Sequence, residues 1–163
     1  MGEAKPLSVS ESETKLIGSV LEFQFPNLVN CPYEIKSEQT DEYNCVAWAA
    51  GDTESWWWPI ESDTAFWPKD IPRILDKRYF IEAFKTLDYE ECGDNFEFEI
   101  GFEKVALYLN EGNVPTHMAR QTEIGIWTSK LGQGWDIVHN ILDGLAGAQY
   151  GEPRLALRRP INK

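Results

Sequence analysis

Cys45 is the residue best placed for chemistry. It follows Asn44 and opens the run Val46-Ala47-Trp48-Ala49-Ala50, which ends at Gly51. Asn is a good helix cap and Gly a good helix stop, so the spacing predicts a short helix with the thiol in its first turn. Backbone N–H groups and the helix dipole at such a position favour the thiolate, which is the nucleophilic form. The chain carries two histidines, His117 and His139. His117 follows the Gly112-Asn113 turn and Pro115, at the start of a predicted strand, where an imidazole can be held rigidly against a distant helix end. Paired with Cys45 it would take the thiol proton and later return it to a leaving group. A third polar residue would fix its tautomer.

Next to the Cys45 segment lies a tryptophan-rich loop, Trp56-Trp57-Trp58-Pro59, followed by Phe66-Trp67-Pro68. With Trp48 and Asp52, the residues Trp56, Trp57 and Trp58 are expected to border a substrate groove, because loops beside a nucleophile select what reaches it. The competing expectation is that these rings are core covering the helix end. No Cys or His pair has the spacing of a structural zinc site, and no phosphate loop is present, so neither a metal nor a cofactor is expected.

The elements that must carry these residues divide the chain. Residues 1–12 are expected to be flexible, 13–92 mainly helical and 93–163 mainly β, all in a single domain of 163 residues. Ser12 is the expected cap of a first helix bearing Leu16, Ile17, Val20, Leu21 and Phe23. Asp70-Ile71-Pro72 is expected to open the longest helix, with Ile74, Leu75, Phe80, Ile81, Phe84 and Leu87 on one side. Strands are expected at Val105–Leu109, Thr116–Gln121, Ile126–Lys130 and Arg154–Leu157, with a short helix near Ile141–Leu145. At most a short strand is expected between Pro26 and Thr40. Helices followed by an antiparallel meander make an α+β fold. Whether His117 faces Ser129 depends on the hairpin: a three-residue loop, Thr122–Ile124, sets them opposite each other, a four-residue loop substitutes Lys130, and a one-residue slip reverses every face.

Composition narrows the partners. Fifteen Lys and Arg stand against 27 Asp and Glu, a net charge of −12. Up to Glu103 there are 8 basic and 22 acidic residues, and from Lys104 onward 7 and 5. That balance argues against nucleic acid and anionic membranes as partners. A neutral or cationic substrate suits it better. Neither a leader peptide nor an apolar run of membrane-spanning length is evident, and three irregularly spaced cysteines are no disulfide framework, so a cytoplasmic location is expected.

The order of these residues resembles the papain-like cysteine peptidases. Gln39 stands six positions before Cys45, as the oxyanion-hole Gln does in that family, and Ser129-Lys130-Leu131-Gly132-Gln133-Gly134-Trp135 is similar to its Asn-Ser-Trp-Gly-x-Gly-Trp segment. Ser129 replaces Asn, Leu131 replaces a shielding Trp, and Val46 follows the nucleophile. The chain length is closer to the compact cell-wall (NlpC-type) and amidase-type members. The phrases Asn44–Asp52, Trp56–Pro59 and Thr128–Gly132 look most like an uncharacterised family of small bacterial proteins, over residues 40–160. The resemblance implies an NlpC-type arrangement, with Cys at a helix start packed on an antiparallel meander. It implies a cysteine hydrolase or acyl transferase acting on a peptide or other amide: Cys45 nucleophile, His117 acid/base, Gln39 with the Cys45 backbone N–H as oxyanion donors, and Ser129 as orienting group, with Asp136 and His139 in reserve for that last role. The alternatives are an acidic binding protein of inhibitor or immunity type, or a papain-like domain that has lost catalysis.

Overall fold

The structure, a computed structural model, describes residues 5–122 and 124–161. In chain order its elements are α1 (Glu11–Gln24), a 3-10 turn (Pro26–Asn30), β1 (Tyr33–Ser37), α2 (Cys45–Ala50), α3 (Lys77–Lys85), β2 (Glu90–Glu91), β3 (Phe102–Leu109), β4 (Pro115–Gln121), β5 (Trp127–Lys130), β6 (Asp136–His139), a second 3-10 turn (Leu142–Leu145) and β7 (Glu152–Pro160). The seven strands form one antiparallel sheet in the order β1-β6-β5-β4-β3-β7-β2. The fold is therefore mixed α and β with few helices.

Alternation along the central strands produces two cores. Val105 and Leu107 of β3 and Met118 of β4 pack with Tyr43, α2, and Phe80 and Phe84 of α3. Their neighbours Ala106, Tyr108 and Ala119, with Trp127 and Ile137, pack with Leu21 of α1, Leu28 and Leu142. A sheet covered on both faces needs apolar residues on both, which explains the unbroken run Val105–Leu109.

Several expectations are corrected. Ser10, rather than Ser12, caps α1, its Oγ accepting from the Glu13 N–H at 3.2 Å. α1, with 14 residues, is the longest helix, whereas α3 has 9 and starts at Lys77 instead of Pro72. Asp70 has φ +69°, the Trp67 indole N–H donates to the Pro72 carbonyl, and Asp76 supplies the cap, so segment 70–76 runs irregularly into the helix. Of the expected flexible end, residues 1–4 lie outside the described residues. Lys5 and Leu7 exchange backbone bonds with Glu38 and Lys36 beside β1, and the first helix already includes Glu11 and Ser12. The meander gains a strand no pattern announced, β6, and β1 comes from the helical part to pair with it.

Candidate functional site

α2 begins where the sequence places it. The Asn44 side chain accepts from the Ala47 N–H at 3.0 Å, and Gly51 ends the helix at φ +81°. The same Asn44 amide accepts from Trp57 N–H at 3.1 Å and donates to Trp57 C=O at 2.7 Å. One residue thus caps the helix and ties the tryptophan loop to it. Trp57 is buried, its indole N–H donating to Asp52 at 2.8 Å, while Trp56 and Trp58 line a pocket of about 280 Å³ with Asn44, Cys45, Thr116 and Tyr150.

A chain of polar groups crosses the sheet from β4 to β6. His139 Nδ1 lies 3.0 Å from the Ile141 carbonyl, which can only accept, so Nδ1 carries the proton. Burial pushes His139 down to about 4, so the ring is neutral near pH 7 and its Nε2 accepts. The Ser129 hydroxyl, 2.8 Å away, donates to it. The Ser129 oxygen then accepts from His117 Nε2 at 2.9 Å. This network assigns the His117 proton to Nε2 and leaves a bare lone pair on Nδ1. That Nδ1 is buried and has no hydrogen-bond partner. Burial, and next the proximity of His139, hold His117 well below the usual imidazole range.

Neither hairpin register considered from sequence is the one found. Gln121 pairs with Trp127 and Arg120 with Thr128, closing a five-residue loop over 122–126. Relative to the three-residue loop the strands slide by two, which preserves the faces. His117 and Ser129 therefore meet diagonally rather than directly.

Cys45 and the His117 ring belong to opposite faces of the sheet, the thiol to the α2 core and the imidazole to the side of Tyr108 and Tyr150. Met118, next to His117, packs into the α2 core, whereas the His117 ring turns the other way. Tyr150 connects them: it borders the Cys45 pocket and stacks on the His117 ring, with centroids 4.1 Å apart at 6°. The expected thiolate does not form at rest. Burial pushes the Cys45 thiol up to about 11, outweighing the Met118 and Val46 N–H groups and the Lys130 charge that favour ionisation. Lys130 is itself fully buried, donating to the carbonyls of Thr40 (2.7 Å) and Gly132 and lying 5.3 Å from the Tyr43 ring centre. Burial lowers it to about 8, against the pull of Asp136 and Cys45.

Other expected residues lie elsewhere. Gln39 is exposed and lines a separate groove with Leu131 and Gln133. Trp48 donates to Thr128 Oγ1 at 2.9 Å and borders a different cavity. Asp136 accepts from Tyr43 on the α2 side of the sheet, away from His117. Tyr150 and Lys130 escaped the sequence reading; the one signal for Lys130 was its period-two alternation with Thr128 beside the Gly132 turn. Beyond the pocket, Trp56 also borders a groove with Asp41, Glu42, Glu54 and Asp63. Among the described residues no helix is long and apolar enough to cross a membrane, and no group of three or more His, Cys, Asp or Glu could hold a metal.

A family model matches residues 34–158, a span that includes Cys45, His117, Ser129, His139 and Tyr150. The chain belongs to the DUF7689 family. That family is described as a domain of unknown function, and α1 lies before the matched region. No curated protein and no solved structure matches the chain. The site of this DUF7689 member therefore has to be understood from its own geometry.

Proposed function

We propose that the protein is a papain-like cysteine hydrolase or acyl transferase of NlpC-type arrangement, acting on an amide bond. The observation that carries this reading is the bare, unpartnered Nδ1 of His117, with Nε2 anchored through Ser129 to His139. A buried neutral imidazole so oriented is a base in search of a proton, and the reading takes as its source the Cys45 thiol, whose pocket Tyr150 also borders, once substrate binding brings the two together. The resting pair is thiol and neutral imidazole, so proton transfer accompanies attack.

Cys45 Sγ bonds to the amide carbonyl carbon as its proton passes to His117 Nδ1. The tetrahedral intermediate collapses with cleavage of the C–N bond, and His117 returns the proton to the leaving nitrogen. Water, or an acceptor amine, then attacks the thioester carbonyl, its proton going to His117 and on to the departing sulfur. Gln39 faces another groove, so the Cys45 backbone N–H is assigned to the oxyanion. The acidic groove sharing Trp56 with the pocket supports a neutral or cationic substrate. Three free thiols agree with a cytoplasmic setting.

Iodoacetamide labelling at pH 7, read by mass spectrometry, is the test. The reading expects Cys45 to label faster than the more exposed Cys92, and His117→Ala to slow Cys45 alone. A Cys45 slower than Cys92, and reactive only as pH approaches 11, is an inert buried thiol and ends the proposal. The acidic groove also supports a second reading, a non-enzymatic protein that binds a basic partner. Binding in pull-downs that raised salt leaves unchanged would count against it.

A further inference from the structure

A second cavity, of about 390 Å³, is bordered by β1, β6 and β5 of the sheet and by Trp48 of α2, and it shares no lining residue with the Cys45 pocket. Asp136 lines it and is 7% exposed. One carboxyl oxygen, Oδ2, accepts from the Tyr43 hydroxyl at 2.5 Å. The other, Oδ1, is buried without a hydrogen-bond partner. Burial raises the carboxyl, against hydrogen bonding from the Tyr43 and Ser37 side chains and the charge of Lys130, which lower it. An orphaned buried acceptor is costly and rare, and here it belongs to a residue that borders a cavity.

The surroundings select the ligand. Tyr43 and Trp48 supply aromatic walls, and Ser37 and Thr53 supply hydroxyls. Lys130 already lies over the Tyr43 ring, Arg120 over the Trp48 ring at 5.7 Å, and Lys36 sits on the lining. Lys130 already supplies a positive charge to Asp136, and Lys36 on the lining is paired with Glu34 at 2.7 Å, so the orphan oxygen calls for a neutral donor rather than a further cation. A cavity at the small end of the roughly 300–1,000 Å³ typical of ligand sites fits one ring.

We propose that this cavity binds a small neutral ligand with several hydroxyl donors, of the class of a single saccharide ring. One hydroxyl donates to Asp136 Oδ1, and an apolar C–H face rests against the aromatic walls. The proposal does not rest on the Cys45 reading, although Ser129 of the histidine relay also borders this cavity.

The test is titration of the isotope-labelled full chain, followed by amide NMR shifts. The probes are glucose and N-acetylglucosamine, with methylammonium as a cationic arm and tetrahydropyran as a ring lacking donors. The proposal expects saturable shifts around Thr53, Thr128 and Val138 with at least one sugar. In Asp136→Asn the Tyr43 hydroxyl would claim the amide oxygen and turn the NH2 toward the ligand, weakening binding about tenfold or more. Thr53→Trp, a change on the loop after α2, would fill the cavity and abolish binding while the amide spectrum stays folded. Four outcomes overturn the proposal: no saturable shift with either sugar up to roughly 0.1 M, preference for methylammonium, equal binding of tetrahydropyran, or sugar affinity unchanged in a folded Thr53→Trp.

Discussion

The sheet buries a polar cluster on each face, and the two are stabilised differently. On the α1 side His117, Ser129 and His139 form a relay of neutral groups, each at most 1% exposed. On the α2 side Tyr43, Lys130 and Asp136 bring charge into the interior, with the ammonium held by two carbonyls and the carboxyl by a phenol. Neutral groups recover in hydrogen bonds most of what burial takes from them, whereas buried charge needs counter-charge and oriented dipoles. The neutral relay consequently presents a lone pair at a fixed atom. The charged cluster presents a field, felt at Cys45 and at the Asp136 cavity. The proposed proton transfer would draw on the first and the proposed ligand selection on the second.

The largest effect should come from Ser129→Ala, which strands His117 Nε2–H and His139 Nε2 together. At about 1–3 kcal/mol for each orphaned group, urea unfolding should report a loss of about 3–4 kcal/mol. A loss below about 1 kcal/mol would mean that water replaces the hydroxyl and the relay is not sealed.

Titration should separate the clusters. His139 has a folded value near 4, below the ordinary 6.5, so its neutral form stabilises the fold fully above 6.5 and progressively less down to 4. Stability from urea unfolding should fall by about 3 kcal/mol or more over that window, and His139→Gln should reduce the loss without removing it, because His117 is held low as well. Lys130, lowered to about 8 from 10.5, binds fewer protons folded than unfolded, so its contribution rises as pH climbs from 8 to 10.5. The raised Cys45 thiol pulls the other way above about pH 9, so the check is the difference: wild type should gain about 2 kcal/mol relative to Lys130→Met across that window. Identical slopes in the two proteins would refute the assignment.

Asn44→Ala removes the α2 cap and both bonds to Trp57, so about 2 kcal/mol should be lost, along with the ordering of the Cys45 pocket. Near-UV circular dichroism of the tryptophans reads the second part directly. Thr128→Val should be the mildest change, about 1 kcal/mol, because the Trp48 indole N–H is half-buried and water can reach it.

Local signals were legible where one residue sufficed to make them. Asn44 and Gly51 bracket α2 because cap and stop are properties of single side chains. The apolar run Val105–Leu109 announces a strand buried on both faces. β6 escaped because half of its four residues, Asp136 and His139, are buried polar groups, which in sequence look like loop. The Pro72 helix start failed because two capping aspartates compete, and Trp67, which captures the Pro72 carbonyl, tips the balance toward Asp76.

By itself, then, the sequence determined that Cys45 opens a capped helix, that His117 and Ser129 lie on successive strands of a hairpin, and that the first two thirds of the chain carry the acidity. These follow from caps, alternation and counting, which act over a few residues. Tertiary structure alone decided the register that sets His117 diagonal to Ser129, the His139 anchor that fixes its proton, and the Tyr150 ring that stacks on His117 and borders the Cys45 pocket. It also decided that Cys45 rests protonated, because burial, a property of the whole packed chain, outweighs the local fields that a helix start supplies.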